Sequence, residues 1–260
     1  MWSKKQIKKH REAAQKLGLI KDEMVGFLQT SKGVTETDAL IFVEKAYKRH
    51  GLVNDHKKEF AIVAFGKNTS QVHYFPKALP RRQAGKGQKL KANNLILIDI
   101  WARLPKRNAP YADMTWMFYK GEGGKSKVEG RIPKKIQEKW RILTYSRTST
   151  LRYLEKCLRK GKLPRGVGLD RTAHDVIGKA GYGSAIKHTI GHSLGFGHPH
   201  GKLPGINWKE YSPLQKNVGY TIEPGMYFKD FGMRTEIDFY ISSKNKIVIT
   251  TPVQKDIDII

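Results

Sequence analysis

The sequence has a single cysteine, Cys157, so no disulfide can form within the chain. That suits a reducing compartment and points to the cytoplasm. No run approaches the roughly 18 apolar residues of a membrane helix, so no membrane role is expected. The N-terminus, MWSKKQIKKHREAAQKLGL, is basic but lacks the apolar stretch of a secretory signal. Acidic residues are scarce. Only 23 Asp and Glu face 49 Lys and Arg, which leaves a net charge of +26. Such a field attracts polyanions, with nucleic acid or the ribosome as the obvious class of partner. The basic residues are spread over the N-terminal segment, 80–91, 120–127 and 159–166. There is no zinc-finger spacing and no RNA-binding aromatic signature, so the expected contact is non-specific.

What is present describes a globular α+β protein. Hydrophobic residues make up 39% of the 260, with ten Phe, eleven Tyr and five Trp. Helical spacing predicts helices over 3–17, 37–50, about 132–160 and about 169–180. Strands are expected at EFAIVAFG (59–66), QVHYF (71–75), NNLILIDIWARL (93–104) and PYADMTWMFYKG (110–121). A basic loop should fill 79–94. Short strands then alternate with turns through IKHTIGH, VGYTIEPG, RTEIDFYI and KIVITTPV. No repeat or linker divides the chain, so one domain over 1–260 is expected.

Four carboxylates stand where apolar residues belong. Asp99 follows LILI and precedes Ile100 and Trp101, on a strand apolar on both faces. Asp113 sits among Tyr111, Met114, Trp116 and Phe118. Glu223 ends a short apolar strand before Pro-Gly. Arg234, Glu236 and Asp238 share one face of GMRTEIDFYI. A buried carboxylate must pair, protonate or bind a cation. Arg234 alone cannot serve all of these groups. His192 lies in GHSLGFGHPHG, and four of the nine histidines fall between His188 and His200. Four acidic groups and an imidazole form an oxygen-rich set unlike a cysteine-rich structural zinc site. Two divalent cations would balance it. Pattern alone leaves edge, turn and core positions open for each residue taken singly.

In this order, Asp, Asp, His, Glu, Glu, the stretches LILIDIWARLPKRNAPYADMTWMF, HTIGHSLGFGHPHG, GYTIEPGMYF and GMRTEIDFYI resemble the M24 metallopeptidases. That family comprises methionine aminopeptidases, Xaa-Pro aminopeptidases and prolidases. The resemblance implies the pita-bread fold, a curved and mostly antiparallel sheet with helices on its outer face. It implies two divalent metal ions, with manganese, cobalt, iron and zinc as candidates. Asp99 would chelate one ion, Asp113 and Glu236 would bridge both, and His192 and Glu223 would hold the other. His73 matches an upstream histidine that contacts substrate. His200 fits the family's second histidine better than His198, which stays the alternative. His188 would be a supporting residue or ordinary core packing. Glu223 would also move a proton, and Arg234 would face substrate. The expected substrate is a peptide with a free N-terminus. The Arg234-x-Glu236 form and AFGKNTSQVHYFP lean towards the Xaa-Pro branch, whereas the chain length matches a methionine aminopeptidase. The N-terminal domain typical of Xaa-Pro aminopeptidases and prolidases is not expected in this chain. The rival is a non-catalytic pita-bread protein that binds nucleic acid or ribosomes.

Overall fold

Ser3 opens α1 (Lys4–Thr30) with a capping box, accepting from Gln6 N while the Gln6 side chain accepts from Ser3 N. The computed structural model describes residues 1–56, 59–76, 87–122 and 132–260. Parts of the basic stretches at 80–91 and 120–127 lie outside these residues. So does the first half, 79–86, of the expected 79–94 loop. Helix α1 runs well past the predicted end at 17. Leu17, Ile20, Met24 and Leu28 continue its buried stripe, and Gly18 packs against Pro252 instead of ending it. Thr35 and Asp38 box the start of α2 (Glu36–Arg49).

Strands β1 (Ala61–Phe65), β2 (Leu95–Ala102) and β3 (Ala112–Tyr119) form an antiparallel sheet, with β9 (Asp258–Ile259) added in parallel beside β3. All eight residues of β2 and all eight of β3 are buried, as a strand apolar on both faces requires. Ile96, Ile98, Ile100, Met114 and Phe118 pack with residues of α1 and α2. Leu97, Trp101, Met117 and Tyr119 face a second cluster. That cluster includes Trp140 and Leu143 of α3 (Lys134–Arg159) and Ile177 of α4 (Gly166–Lys179). Burying an Ile or Leu side chain stabilises by about 1.5–3 kcal/mol.

A second sheet has the order β4 (Gly219–Ile222), β7 (Ile237–Ile241), β8 (Ile247–Ile249), all antiparallel. A two-stranded ribbon joins β5 (Gly225–Tyr227) to β6 (Gly232–Arg234). The expected single strand through RTEIDFYI is therefore two. It leaves the ribbon at Thr235, whose N–H donates to Pro224 O, and enters the second sheet at Ile237.

Two further expectations are corrected. QVHYF is not a strand. The chain turns at Gly66 (φ +51) into a 3₁₀ turn over Gly66–Ser70, Gln71 N donates back to Asn68 O, and Val72 O accepts from the Arg234 side chain. IKHTIGH forms no full strand, but its second half runs alongside β4. Glu223 N donates to Ile190 O, Thr221 N to His192 O and Leu194 N to Gly219 O. The edge of β3 is closed piecemeal: Asp113 N donates to Asp238 Oδ2, and the Gln254 side chain bonds both N and O of Met117.

Candidate metal centre

The strand register brings the first two acids together. Asp99 pairs with Thr115 and Trp101 with Asp113, so Asp99 and Asp113 are diagonal neighbours on one face of the sheet. The run beside β4 sets His192 next to Glu223, with Nε2 at 3.3 Å from Oε1. The crossing from β6 to β7 delivers Glu236 from the other side, where it accepts from Thr115 Oγ1 at 2.8 Å. Ligand atoms of Asp113, His192 and Glu236 all lie within 4.8 Å of one another. His192 Nε2 is 3.8 Å from Asp113 Oδ2. These residues and Asp99, Glu223 and Arg234 line a single cleft of about 910 Å³.

The electrostatics are those of crowded, desolvated acids. Burial pushes the Asp113 carboxyl well above the usual range, and the charges of Glu236, Asp99 and Asp238 push it further. Glu236 is raised in the same way, by burial and by Glu223 and Asp99. Burial raises Glu223 to about 7, against the opposing pull of Arg234. Asp99 is also raised by burial, although Arg234 donates to it. His192 Nδ1–H donates to the Ser193 carbonyl at 3.0 Å, which fixes the tautomer and turns the Nε2 lone pair towards the acids. Burial, with His200 beside it, lowers its pKa to about 3, so the ring is neutral.

The donor set fits a cation site on its own terms. Asp99 Oδ1 and Asp113 Oδ1 are buried, with no hydrogen-bond partner. Arg234 serves one acid only, through Asp99 Oδ2. Positive charge between these groups would satisfy both oxygens and relieve the repulsion that raises the carboxyls.

The histidines divide along the cleft. His200 stacks on His192 with ring centroids 3.9 Å apart, and His198 meets His200 edge-on at 5.3 Å. His198 Nδ1 accepts from His200 N, so its proton sits on Nε2. His73 is exposed at the cleft. His188 donates from Nδ1 to Thr189 O and meets Tyr227 OH through Nε2 at 3.0 Å. Arg234 donates to Asp99, Thr115, Tyr227 and Val72, so most of its donors are taken by the protein. Three further residues support the site: Thr115, Thr221 and Tyr227. Thr115 bonds Glu236 and Arg234, and Thr221 Oγ1 bonds Glu223 and the His192 N–H. Same-face spacing from Asp113 was the available signal for Thr115. Tyr227 carried none, because its contacts depend on the ribbon turn.

Residues 8–243 match the family model described as metallopeptidase family M24. A relative named as an uncharacterized peptidase of Staphylococcus aureus (strain MW2) is 25% identical over 250 residues, covering 95% of this chain and 62% of its own length. An X-Pro aminopeptidase structure from Thermotoga maritima superposes with a TM-score of 0.80 at 23% identity, covering all of this chain and 64% of that one. An X-prolyl aminopeptidase of Caenorhabditis elegans, described as a cytosolic enzyme with a di-nuclear active site, gives 0.71 at 19% identity, covering 97% of this chain and 40% of that one. This chain thus spans about three fifths of the first two. Among the described residues no helix is long and apolar enough to cross a membrane. With its acid and imidazole cluster set between two sheets of a pita-bread fold, the chain belongs to metallopeptidase family M24.

Proposed function

We propose that this peptidase is an Xaa-Pro-directed aminopeptidase that uses two divalent cations to release the first residue of a peptide with a free N-terminus. The observation that carries the reading is the convergence of Asp113, His192 and Glu236 beside the unpartnered oxygens of Asp99 and Asp113. Asp99, Asp113, His192, Glu223 and Glu236 would hold the ions. Manganese, cobalt, iron and zinc all suit oxygen and imidazole donors. When bound, such ions supply Lewis acidity and make a coordinated water acidic.

The chain's own groups do the rest. Water oxygen adds to the scissile carbonyl carbon, and the C–N bond then breaks. Glu223, on the cleft wall beside His192, would take the water proton and return it to the leaving nitrogen. His73 and His200 steady the developing oxyanion or orient the peptide, with His198 as the alternative to His200. Arg234 holds Asp99 and lends positive charge to the cleft wall that meets substrate. The single cysteine supports work in a reducing compartment such as the cytoplasm.

Metal-reconstituted protein assayed on Met-Ala-Ser, Ala-Pro-Ala and Ala-Pro tests the reading. Cleavage before Pro in Ala-Pro-Ala is expected. Release of Met alone selects the methionine branch, and cleavage of the dipeptide alone selects a prolidase. No cleavage with any of the four metals removes the peptidase reading and favours a binding protein.

A polyanion contact alongside hydrolysis is supported by the net charge of +26. Ribosome co-sedimentation that weakens as salt rises is the expected result, and salt-insensitive binding counts against it.

A further inference from the structure

Glu36 is fully buried, stands outside the proposed ligand set, and is surrounded by donors. Oε1 accepts from Phe65 N at 2.7 Å, and Oε2 accepts from Gln88 N and from Tyr74 OH, each at 2.5 Å. Asn68 Nδ2 reaches both oxygens, at 3.0 and 3.1 Å, and also Tyr74 OH at 2.9 Å. A carboxylate offers acceptors only, so it can serve all of these donors at once. It belongs to the first turn of α2, where the helix end favours negative charge. The packing is close: Gly87 has φ +66, and a Cβ there would lie 2.6 Å from Glu36 Oε2.

Three of these donor groups, Phe65, Asn68 and Tyr74, flank or belong to the non-strand segment that carries His73. The opposite side of that segment is tied to β6. Gly232 N donates to Thr69 Oγ1 at 2.9 Å, and Arg234 Nη1 reaches Val72 O. His73 lies between Val72, held by Arg234, and Tyr74, held by Glu36.

We propose that Glu36 is the positioning residue for His73: from behind the cleft its carboxylate fixes the 66–76 segment and so sets where the imidazole stands. The catalytic half of this inference rests on the peptidase reading above. A residue that only stabilised the fold would act on every activity alike. A positioning residue acts through His73.

Two measurements separate these roles. In the metal-loaded protein, Tyr74→Phe deletes one hydroxyl of the clamp. It should lower kcat about tenfold or more with little change in KM, since misplacement of about 1 Å can cost a hundredfold. In a His73→Ala background the same change should cost nothing further. Losses that simply add overturn the proposal. Independently of any activity, Glu36→Gln puts a donor among donors. Amide exchange measured by mass spectrometry should then quicken at least about tenfold over 66–76 while α1 and α3 keep their protection. Unchanged exchange over 66–76 overturns the proposal, even if Tyr74→Phe lowers activity. If the unaltered protein cleaves no peptide, the peptidase reading falls, and the exchange result alone decides whether Glu36 holds the segment.

Discussion

Arg234 donates to Asp99 Oδ2 and leaves Asp99 Oδ1 buried, without a hydrogen-bond partner. The guanidinium thus orients the carboxylate without using up its second oxygen. Arg234→Met keeps the bulk and removes the charge and the fork. Divalent-cation affinity, read by calorimetry, should fall about 10–100-fold, the usual cost of losing a partner that orients a ligand. Unchanged affinity would show that Asp99 needs no such support.

Burial raises the Asp113 carboxyl, and the charges of Glu236, Asp99, Asp238 and Glu223 all raise it further. Asp113→Ala should abolish both cation binding and turnover. Elemental analysis after dialysis checks the first and peptide assay the second. Retained activity with two bound ions would refute the ligand assignment.

Cations that bind only the folded chain must also stabilise it. At a hundredfold excess over Kd the gain is about 2.7 kcal/mol. Tm should climb with added manganese or cobalt and return to its starting value with chelator. Asp113→Ala should show no such climb. A flat Tm in the unaltered protein argues against a site of useful affinity.

Gly191 precedes His192 and lies against β4, where a Cβ would sit 2.3 Å from Thr221 O. Backbone must shift to admit it. Gly191→Ala should displace His192, lower Tm by several degrees and reduce the cation content. An unchanged Tm and full cation occupancy would show that the backbone yields there without moving His192.

His10 of α1 donates from Nδ1 to Tyr111 O and accepts from Thr250 Oγ1 at Nε2. Burial lowers its pKa from 6.5 to about 4. The unfolded chain therefore binds a proton over a range in which the folded chain refuses it. Stability from this group is present above 6.5 and is lost as pH falls towards 4, by about 3 kcal/mol at most. Urea midpoints at pH 7 and 4.5 should differ less in His10→Gln than in the unaltered protein. An equal difference would mean that His10 does not contribute.

The sequence made the centre of the fold legible because period and composition agreed there. LILIDIWA and ADMTWMFY are apolar on both faces, and each carries one misplaced acid. The Glu223 and Glu236 stretches were equally plain. QVHYF misled because it alternates like a strand. What decides its shape is Glu36, some 38 residues upstream of Tyr74, and no local period reports a partner that distant. The length of α1 was missed because Gly18 looks like a stop, and only its contact with Pro252 explains why it is not. Arg234 lines the cleft, and its hydrogen bonds to Asp99, Thr115, Tyr227 and Val72 reach four separate segments, which no local spacing reports.

Among the described residues the outer margin of β3 carries no continuous neighbour strand. Asp238 receives the Asp113 amide, Gln254 occupies both polar groups of Met117, and β9 covers only Phe118 and Tyr119. Side chains thereby stand in for a missing strand, and those groups are withheld from foreign chains. An apolar β-segment that bears metal ligands would otherwise be a template for aggregation. Here the acid that shuts off one end of it is also the acid that holds a ligand's backbone in register.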